Sequence, residues 1–315
     1  MNHRFQARFL KPRYWPIWCM LALIFLIGRL PLKWVLALGR RIGRLLLRTG
    51  GYRVHVTRRN IELCFPEKTE KEREQILHSN FEALGIALLE PGIAWFSSRR
   101  RIARISRFEG MPHLQKGMQD KQDMLLSCLH MTCVEMMIRI ACEHFPCTIL
   151  YRPQNNPVYE YVSGVCRNRF RHSPRLVPRK QVKEFLQFIR QGEIGVILPD
   201  QDMGDKRSIF IPFFGIPAAT ITSTSSFARQ TDAKVLFGQY WLDENSRYRA
   251  VISEPLPHFP TDDERADTLR ITELTETFIR RYPAQYLWQH RRFKTRPAGE
   301  KALYGEREQR KNRRA

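Results

Sequence analysis

Residues 124–130 read MLLSCLH, and residues 195–200 read GVILPD. Each is a short apolar run that ends in a polar side chain, His130 in the first and Asp200 in the second. Apolar runs of this length predict strands that are buried on both faces, as in a parallel sheet. In such sheets the functional groups lie beyond the carboxyl ends of the strands. We therefore expect His130 and Asp200 at one edge of a parallel sheet.

The segments around these two runs alternate between helix-like and strand-like patterns. Further helices are predicted at 132–145, 158–170, 181–191 and 263–282, and further strands at 148–151, 235–241 and 248–252. Another predicted helix, 69–89, begins at a capping box of Thr69 and Glu72 and ends near Pro91 and Gly92. This alternation predicts an α/β fold with a mainly parallel central sheet flanked by helices.

The chain is strongly basic. Its 315 residues include 53 Lys and Arg against 31 Asp and Glu, which gives a formal net charge of +22 at pH 7. The apolar content of 43% suffices for a core and excludes wholesale disorder. Five of the seven cysteines lie within 128–166, which indicates reduced thiols and not a disulfide scaffold. The net charge predicts polyanionic partners, namely nucleic acid, an anionic membrane surface or phosphorylated substrates.

The N-terminal segment favours the membrane among these partners. Residues 14–28 (YWPIWCMLALIFLIG) carry no charge. At about 1.5 Å per residue they reach only about 22 Å, which is less than the ~30 Å hydrocarbon core of a bilayer. In the next segment, 32–48, Arg40, Arg44 and Arg48 share one face of a predicted helix, as in basic helices at membrane interfaces. The predicted organisation is an anchor at 1–48, a main domain at 49–305 and a basic, disordered tail at 306–315.

A hairpin of helices inside a soluble protein is the alternative to an anchor. Trp15, Trp18 and Trp34 flank the apolar run, and indole rings favour the membrane interface, so we expect a short or tilted anchor. Nucleic acid is not an expected partner, because the sequence shows neither basic residues interleaved with aromatic ones nor a helix-turn-helix or RRM pattern.

His130 and Glu135 are five residues apart at a predicted junction of strand and helix. From the first turn, Glu135 can reach one imidazole nitrogen of His130, fix the tautomer and raise the basicity of the other nitrogen. Such a pair can deprotonate a hydroxyl for attack on an acyl group. Two plainer interpretations are a capping box of Thr132 and Glu135 and an ordinary buried histidine.

Two other motifs suggest metal chemistry. The pattern C-x-H-x-x-C occurs at 128–133 and again at 142–147, which suggests zinc ligands. The residues between these Cys and His side chains are apolar types that usually pack in a core. We therefore favour buried free thiols and predict no metal. Asp200-Gln-Asp202 suggests an alternative function, a metal-dependent glycosyltransferase acting on a membrane lipid, although two solvated loop carboxylates are the plainer interpretation. A basic membrane-binding scaffold without chemistry is a third hypothesis.

Several sequence blocks together resemble the late acyltransferases of lipid A biosynthesis. This family, which includes the lauroyl and myristoyl transferases of Gram-negative bacteria, belongs to the lysophospholipid-acyltransferase superfamily. The blocks are H-x4-E at 130–135, YRP at 151–153 with NP at 156–157, LPDQDMG at 198–204, FIPFF at 210–214 with AT at 219–220, and PAQYLW at 283–288 running into HRRFKTRP at 290–297. The PDQD and HRRFKTRP blocks are the most specific, and the resemblance spans about residues 15–304.

The resemblance implies an inner-membrane acyltransferase that faces the cytoplasm and needs no cofactor. It implies transfer of an acyl chain from acyl carrier protein to a 3-hydroxyacyl hydroxyl of the Kdo-bearing, tetraacylated, phosphorylated lipid A precursor, in the lauroyl-type or the later myristoyl-type step. By resemblance, His130 is the general base and Glu135 its partner, whereas Arg152, Arg167 and Asp200 match substrate-binding positions. Arg167 is expected to bind phosphate or stabilise charge, with Asp200 orienting it through a bidentate pair.

Overall fold

The computed structural model describes residues 4–305. The tail predicted at 306–315 lies outside the described residues. The helices are α1 Trp15–Arg29, α2 Leu32–Arg48, α3 Tyr52–Cys64, α4 Glu70–Phe96, α5 Arg99–Ile105, α6 Met111–Gln119, α7 Val134–His144, α8 Pro157–Arg167, α9 Val182–Arg190, α10 Ser223–Thr231 and α11 Glu264–Arg281. The strands are β1 Ser106–Glu109, β2 Met124–Ser127, β3 Cys147–Tyr151, β4 Arg175–Pro178, β5 Ile194–Ile197, β6 Ser208–Phe213, β7 Ile216–Ile221, β8 Lys234–Leu242 and β9 Tyr248–Ile252.

Seven strands form the central sheet in the order β1-β9-β8-β2-β5-β3-β4. Neighbouring strands run parallel except for the antiparallel pair β8–β9. Every residue of β2 and β5 is buried, as their continuous apolar sequences require in a sheet covered on both faces. The predicted α/β fold with a mainly parallel sheet flanked by helices is confirmed.

Side chains alternate between the two faces of the sheet. Leu125 packs in one apolar cluster with Phe185 of α9 and Phe227 of α10. The next residue, Leu126, belongs to a second cluster that contains Met137 of α7. Because successive residues of a strand point to opposite faces, α9 and α10 cover one face and α7 covers the other.

The pairing register of β2 and β5 determines where His130 and Asp200 lie. Ser127 of β2 pairs with Ile197 of β5 in the parallel ladder. His130 and Asp200 each follow their paired residue by three positions. The register therefore places the two side chains opposite each other at the carboxyl edge of the sheet.

Glycines let the N-terminal helices approach α4 at backbone distance. A Cβ added to Gly92 of α4 would overlap the Ile24 carbonyl oxygen of α1, and one added to Gly43 of α2 would overlap the Phe81 carbonyl oxygen of α4. Because this contact buries α4 beyond residue 90, the helix end predicted near Pro91 and Gly92 is wrong. The capping box that starts α4 is confirmed.

The N-terminal helices expose several large apolar side chains. Leu23 and Leu26 of α1 and Trp34 of α2 are each more than half exposed, and so is Trp15 at the start of α1. None of the helices in residues 4–305 combines the length and the apolar character needed to cross a membrane. The domain boundary at residue 48 stays a prediction.

Candidate active site

His130 and Asp200 form a hydrogen-bonded pair at the carboxyl edge of the sheet. The imidazole Nδ1 lies 2.6 Å from Asp200 Oδ1, and the His130 backbone N–H donates to Asp200 Oδ2 at 2.9 Å. The His130 side chain is 26% exposed, whereas that of Asp200 is 3% exposed. One carboxylate therefore holds both the backbone and the ring of His130, while part of the His130 side chain stays exposed.

Asp200 is ionised and thereby sets the tautomer of His130. Burial alone would raise the pKa of Asp200, but His130, together with a smaller contribution from the Tyr286 hydroxyl, lowers it to about 2. A carboxylate only accepts hydrogen bonds, so the proton in the pair belongs to Nδ1. Nε2 of the neutral ring is then the nitrogen with a free lone pair, the arrangement that a general base requires.

Tyr240 holds the turn that carries His130. Its buried hydroxyl donates to the Leu129 carbonyl oxygen and accepts the Met131 N–H at 3.2 Å. The His130 carbonyl oxygen itself accepts the Leu287 N–H at 2.9 Å. The backbone on both sides of His130 is thus fixed by groups distant in sequence, and the sequence analysis did not predict that they hold this turn.

Glu135 contacts a cation and not the imidazole of His130. It forms an ion pair with Arg167 Nη2 and accepts the Trp95 Nε1–H at 3.0 Å. The predicted Glu135–His130 contact and the predicted Asp200–Arg167 pair are therefore both wrong, since the four residues pair the other way. The reason is that the first turn of α7 faces α4 and α8, whereas the loop after β5 faces the imidazole.

The Glu135–Arg167 pair is enclosed by protein. The side chains of Arg167 and Glu135 are 9% and 17% exposed. Burial would lower the pKa of Arg167, but the Glu135 carboxylate offsets this and leaves the pKa raised, so the guanidinium stays charged. The capping box predicted for Thr132 and Glu135 is also wrong, because α7 begins at Val134 and Cys133 provides no side-chain cap.

Arg152 stands apart from both pairs. It is exposed and directly follows Tyr151, the last residue of β3. β3 is parallel to β5, so Arg152 lies at the same edge of the sheet as Asp200. An exposed guanidinium at this edge can contact an anionic ligand without first breaking an internal ion pair.

Asp202, the second carboxylate of the D-x-D motif, is bound within the protein. It is 1% exposed and accepts hydrogen bonds from the Thr295 N–H at 2.8 Å and the Gly204 N–H at 2.9 Å. Its backbone N–H donates to His290 Nε2 at 3.0 Å. Burial lowers the pKa of His290 to about 4, so the ring is neutral and can accept this bond. Both carboxylates of the motif thus have internal partners, which disfavours the glycosyltransferase interpretation.

The basic block at 290–297 is structural in part. Arg292 is 2% exposed and donates to the Ala219 carbonyl oxygen and to Thr220 Oγ1. Thr295 holds Asp202 through its N–H and hydroxyl. The block therefore joins the β6–β7 hairpin to the loop after β5, which explains why PDQD and HRRFKTRP occur in one chain.

The cysteines around His130 are buried thiols. Cys128, Cys133 and Cys142 are each at most 3% exposed, and burial raises the pKa of all three. Zinc binds thiolates, which this environment disfavours. Within residues 4–305 no three His, Cys, Asp or Glu side chains are grouped to hold a metal ion.

Comparison with known proteins agrees with the resemblance read from the sequence. The family model of the bacterial lipid A biosynthesis acyltransferases matches residues 2–295. The lipid A biosynthesis lauroyltransferase of Escherichia coli K12 is 34% identical over 96% of this chain and 98% of its own length. The palmitoleoyltransferase of the same organism is 35% identical over the same shares. Its myristoyltransferase is 29% identical over 94% of this chain and 92% of its own length.

These matches extend over nearly the whole chain and include both pairs at the sheet edge. The family model covers every residue singled out above, from His130 to Thr295. The chain belongs to the bacterial lipid A biosynthesis acyltransferase family and is an acyltransferase.

Proposed function

We propose that this acyltransferase moves a fatty acyl chain from acyl carrier protein to a 3-hydroxyacyl hydroxyl of the phosphorylated, Kdo-bearing tetraacyl lipid A precursor. The observation that carries the proposal is the His130–Asp200 pair at the open edge of the sheet. A neutral imidazole whose Nδ1–H is held by a buried carboxylate has Nε2 free to accept a proton from an alcohol.

The reaction follows from this geometry. The acceptor hydroxyl is a poor nucleophile, and His130 Nε2 removes its proton as the oxygen attacks the thioester carbonyl. The imidazolium that forms is stabilised by Asp200, which stays ionised because its pKa of about 2 lies far below neutral pH. Collapse of the tetrahedral intermediate breaks the C–S bond, and the imidazolium returns the proton to the departing sulfur. The products are the ester and the free thiol of the carrier, with no covalent enzyme intermediate.

The other predicted site residues take different roles. Glu135 and Arg167 join α7 to α8 and keep the helix that follows His130 in place. Arg152, exposed at the same edge, binds a phosphate or carboxylate of a substrate. Asp200, predicted as a substrate-binding residue, acts instead as the partner of the base.

The charge and the N-terminal surface support the proposed partners. Acyl carrier protein is acidic, the precursor bears phosphates and carboxylates, and the chain carries a formal net charge of +22. The exposed apolar side chains of α1 and the exposed arginines of α2 suit insertion into one leaflet of an anionic membrane. We propose that the enzyme lies on the inner membrane with its site facing the cytoplasm, and that it binds no nucleic acid.

The test uses the full-length enzyme in detergent with acyl carrier proteins loaded with lauroyl, palmitoleoyl or myristoyl chains. Mass spectrometry of the acylated precursor identifies the chain and its position. We expect His130→Ala to lower kcat by about 10²–10⁴-fold, the usual contribution of a general base. The matched control is His78→Ala, because His78 is exposed on α4. If His130→Ala keeps more than a tenth of the wild-type kcat, the general-base mechanism is wrong.

A further inference from the structure

Residues 284–290, which we call the strap, contact the loop that carries His130. The Leu287 N–H donates to the His130 carbonyl oxygen at 2.9 Å. One residue further along this loop, Met131 pairs with Tyr286 in an isolated antiparallel bridge. Because these contacts are made by the backbone, they fix the path of the chain at His130 and immediately after it.

The strap also contacts the loop that carries Asp200. His290 Nε2 accepts the Asp202 N–H at 3.0 Å, and the buried Tyr286 hydroxyl donates a long hydrogen bond of 3.5 Å to the Asp200 carbonyl oxygen. The imidazole of His130 and the carboxylate of Asp200 come from loops 70 residues apart, and the strap is bonded to both loops. The position of the strap therefore bears on the geometry of the pair.

Two buried asparagines hold the strap from the helical side of the molecule. Each donates from Nδ2 to two alternate carbonyl oxygens of the strap, at 2.7 to 2.8 Å. The acceptors are Ala284 and Tyr286 for Asn80 of α4, and Trp288 and His290 for Asn60 of α3. An amide nitrogen has two protons to donate, so each asparagine commits both of them to the strap.

The oxygens of the two asparagines are partnered as well. Asn80 Oδ1 accepts a hydrogen bond from Gln289 Nε2 at 2.7 Å, and Asn60 Oδ1 accepts one from the Tyr304 hydroxyl at 2.5 Å. Both asparagines are 0% exposed. Asparagine is a poor helix former, and a buried amide is costly unless it is hydrogen-bonded. Helix formation and core packing therefore do not explain these two residues, whereas their bonds to the strap do.

We propose that Asn60 and Asn80 are positioning residues for the acyl transfer, which hold the strap and through it set the geometry between His130 and Asp200. The inference rests on the proposed function, because it takes this pair as the general base and its partner. Loss of either amide leaves two buried carbonyl oxygens without their donors, so the strap shifts to find others. A misplacement of about 1 Å at a catalytic group can lower the rate by about 10²-fold.

The first experiment measures kcat and both KM values for Asn60→Leu and Asn80→Leu in the detergent assay. Leucine is close in size to asparagine but donates no hydrogen bond. We expect kcat to fall by about 10- to 10²-fold, with the KM values for acceptor and acyl donor within about twofold of the wild type. Wild-type kcat in both variants, or a change in KM alone, would overturn the proposal.

The matched control is Thr57→Val, which also replaces a buried polar side chain of α3. Thr57 is 0% exposed, and its hydroxyl donates to the Arg53 carbonyl oxygen of the same helix at 2.8 Å. This substitution should leave kcat within about twofold of the wild type, because the bond that it removes lies within one helix and not on the strap. A kcat loss equal to that of Asn60→Leu would assign the effect to α3 in general and contradict the proposal.

A double-mutant cycle separates positioning of the base from general loosening of the fold. Asn80→Leu should lower kcat at least about tenfold in the wild type but less than about twofold in His130→Ala, because the base that it positions is then absent. A loosened fold predicts the same factor in both backgrounds, and that result would count against the positioning role. If Asn80→Leu does not fold, Asn80→Ser, which keeps one donor, takes its place in the cycle.

Hydrogen exchange tests the strap without chemistry. The N–H groups of Leu287 and Thr132 join the strap to the His130 loop, the second through the Gln285 carbonyl oxygen at 2.7 Å. In Asn80→Leu both should exchange at least about tenfold faster, whereas the N–H of Val196 in β5 should keep its wild-type rate. Unchanged exchange at Leu287 and Thr132, or an equal increase at Val196, would contradict the proposal.

The outcomes also distinguish this inference from the proposed function. If the wild-type enzyme acylates no precursor, or if His130→Ala keeps its kcat, the proposed function or its general base is wrong. If His130→Ala loses activity while Asn60→Leu and Asn80→Leu both keep it, only the positioning role is wrong.

Discussion

Two carboxylates near the carboxyl edge of the sheet differ in what they hold. Asp200 holds an imidazole side chain that is 26% exposed, whereas Glu135 holds a guanidinium side chain that is 9% exposed. In the first pair one partner is an imidazole, which can gain a proton. In the second pair the Glu135 carboxylate raises the pKa of Arg167, so the guanidinium keeps its charge. The first pair therefore suits proton transfer, whereas the second suits joining two helices.

We expect the largest difference between the two pairs, measured as kcat, when each carboxylate is replaced by its amide. Asp200→Asn removes the charge that stabilises the imidazolium of His130, and kcat should fall by about 10³–10⁴-fold, as in other carboxylate–imidazole systems. Glu135→Gln should change kcat less than about tenfold, because it does not contact the imidazole. Both kcat values come from the mass-spectrometric acylation assay. Equal losses in the two variants would show that the pairs act as one unit.

For the free energy of unfolding, the Glu135–Arg167 pair should matter more than the His130–Asp200 pair. Arg167→Met leaves the enclosed Glu135 carboxylate without its counter-ion and should destabilise the fold by about 3–5 kcal/mol. The double variant Arg167→Met with Glu135→Leu should recover most of this loss, because no unpaired charge remains. Denaturant titrations of the wild type and the two variants, fitted with one shared m-value, measure both changes in the free energy of unfolding. If Arg167→Met unfolds no more easily than the wild type, the pair does not join the helices.

The carboxyl of Glu90, which is buried in α4, extends the comparison to pH dependence. The pKa of Glu90 is about 8 in the folded chain against 4.5 for the free side chain, so between these values the folded state binds the proton more tightly. Its contribution to stability is therefore present below pH 4.5 and is lost as the pH rises through 8. Relative to Glu90→Gln, the wild type should lose on the order of a few kcal/mol between pH 5 and 8. Parallel stability curves for the two proteins would contradict this.

We expect the smallest effect on kcat from a substitution that loosens the backbone turn carrying His130. Tyr240→Phe removes the hydroxyl that joins Leu129 and Met131, and kcat should fall about tenfold while the KM values stay near those of the wild type. Tyr159→Phe is a matched control, since Tyr159 packs against Trp95, near the second pair. A change in KM with kcat unaltered would assign Tyr240 to substrate binding.

The elements near the site could largely be predicted, and the misses have physical reasons. The strands at β2, β3, β5, β8 and β9 were expected from apolar runs, and α2 has the predicted bounds of Leu32–Arg48. The β6–β7 hairpin was not predicted as strands because Pro212 and Pro217, which lie opposite each other in it, are unfavourable in sheets. Helix α4 runs past Pro91 because the packing of α1 on Gly92 overrides the local preference.

Glu90 shows the limit of reading a chain position by position. Nothing in the local sequence of Glu90 distinguishes it from a solvated glutamate. Its unusual pKa arises from burial among α4, Tyr248 and the start of α7, which are far apart in the chain. Burial of this kind is a property of the packed core and leaves no local signal.

The position of His130 and Asp200 after buried strands could be predicted from the chain, because apolar runs and the polar residues after them are local patterns. Which carboxylate meets the imidazole depends on how distant segments pack. Counting along the chain favoured Glu135, five residues away, but the parallel register of β2 and β5 brings Asp200 to His130 from 70 residues away. Burial of the apolar side chains of these strands specifies that register and hydrogen bonds between the strands hold it, whereas distance along the chain has no part in it.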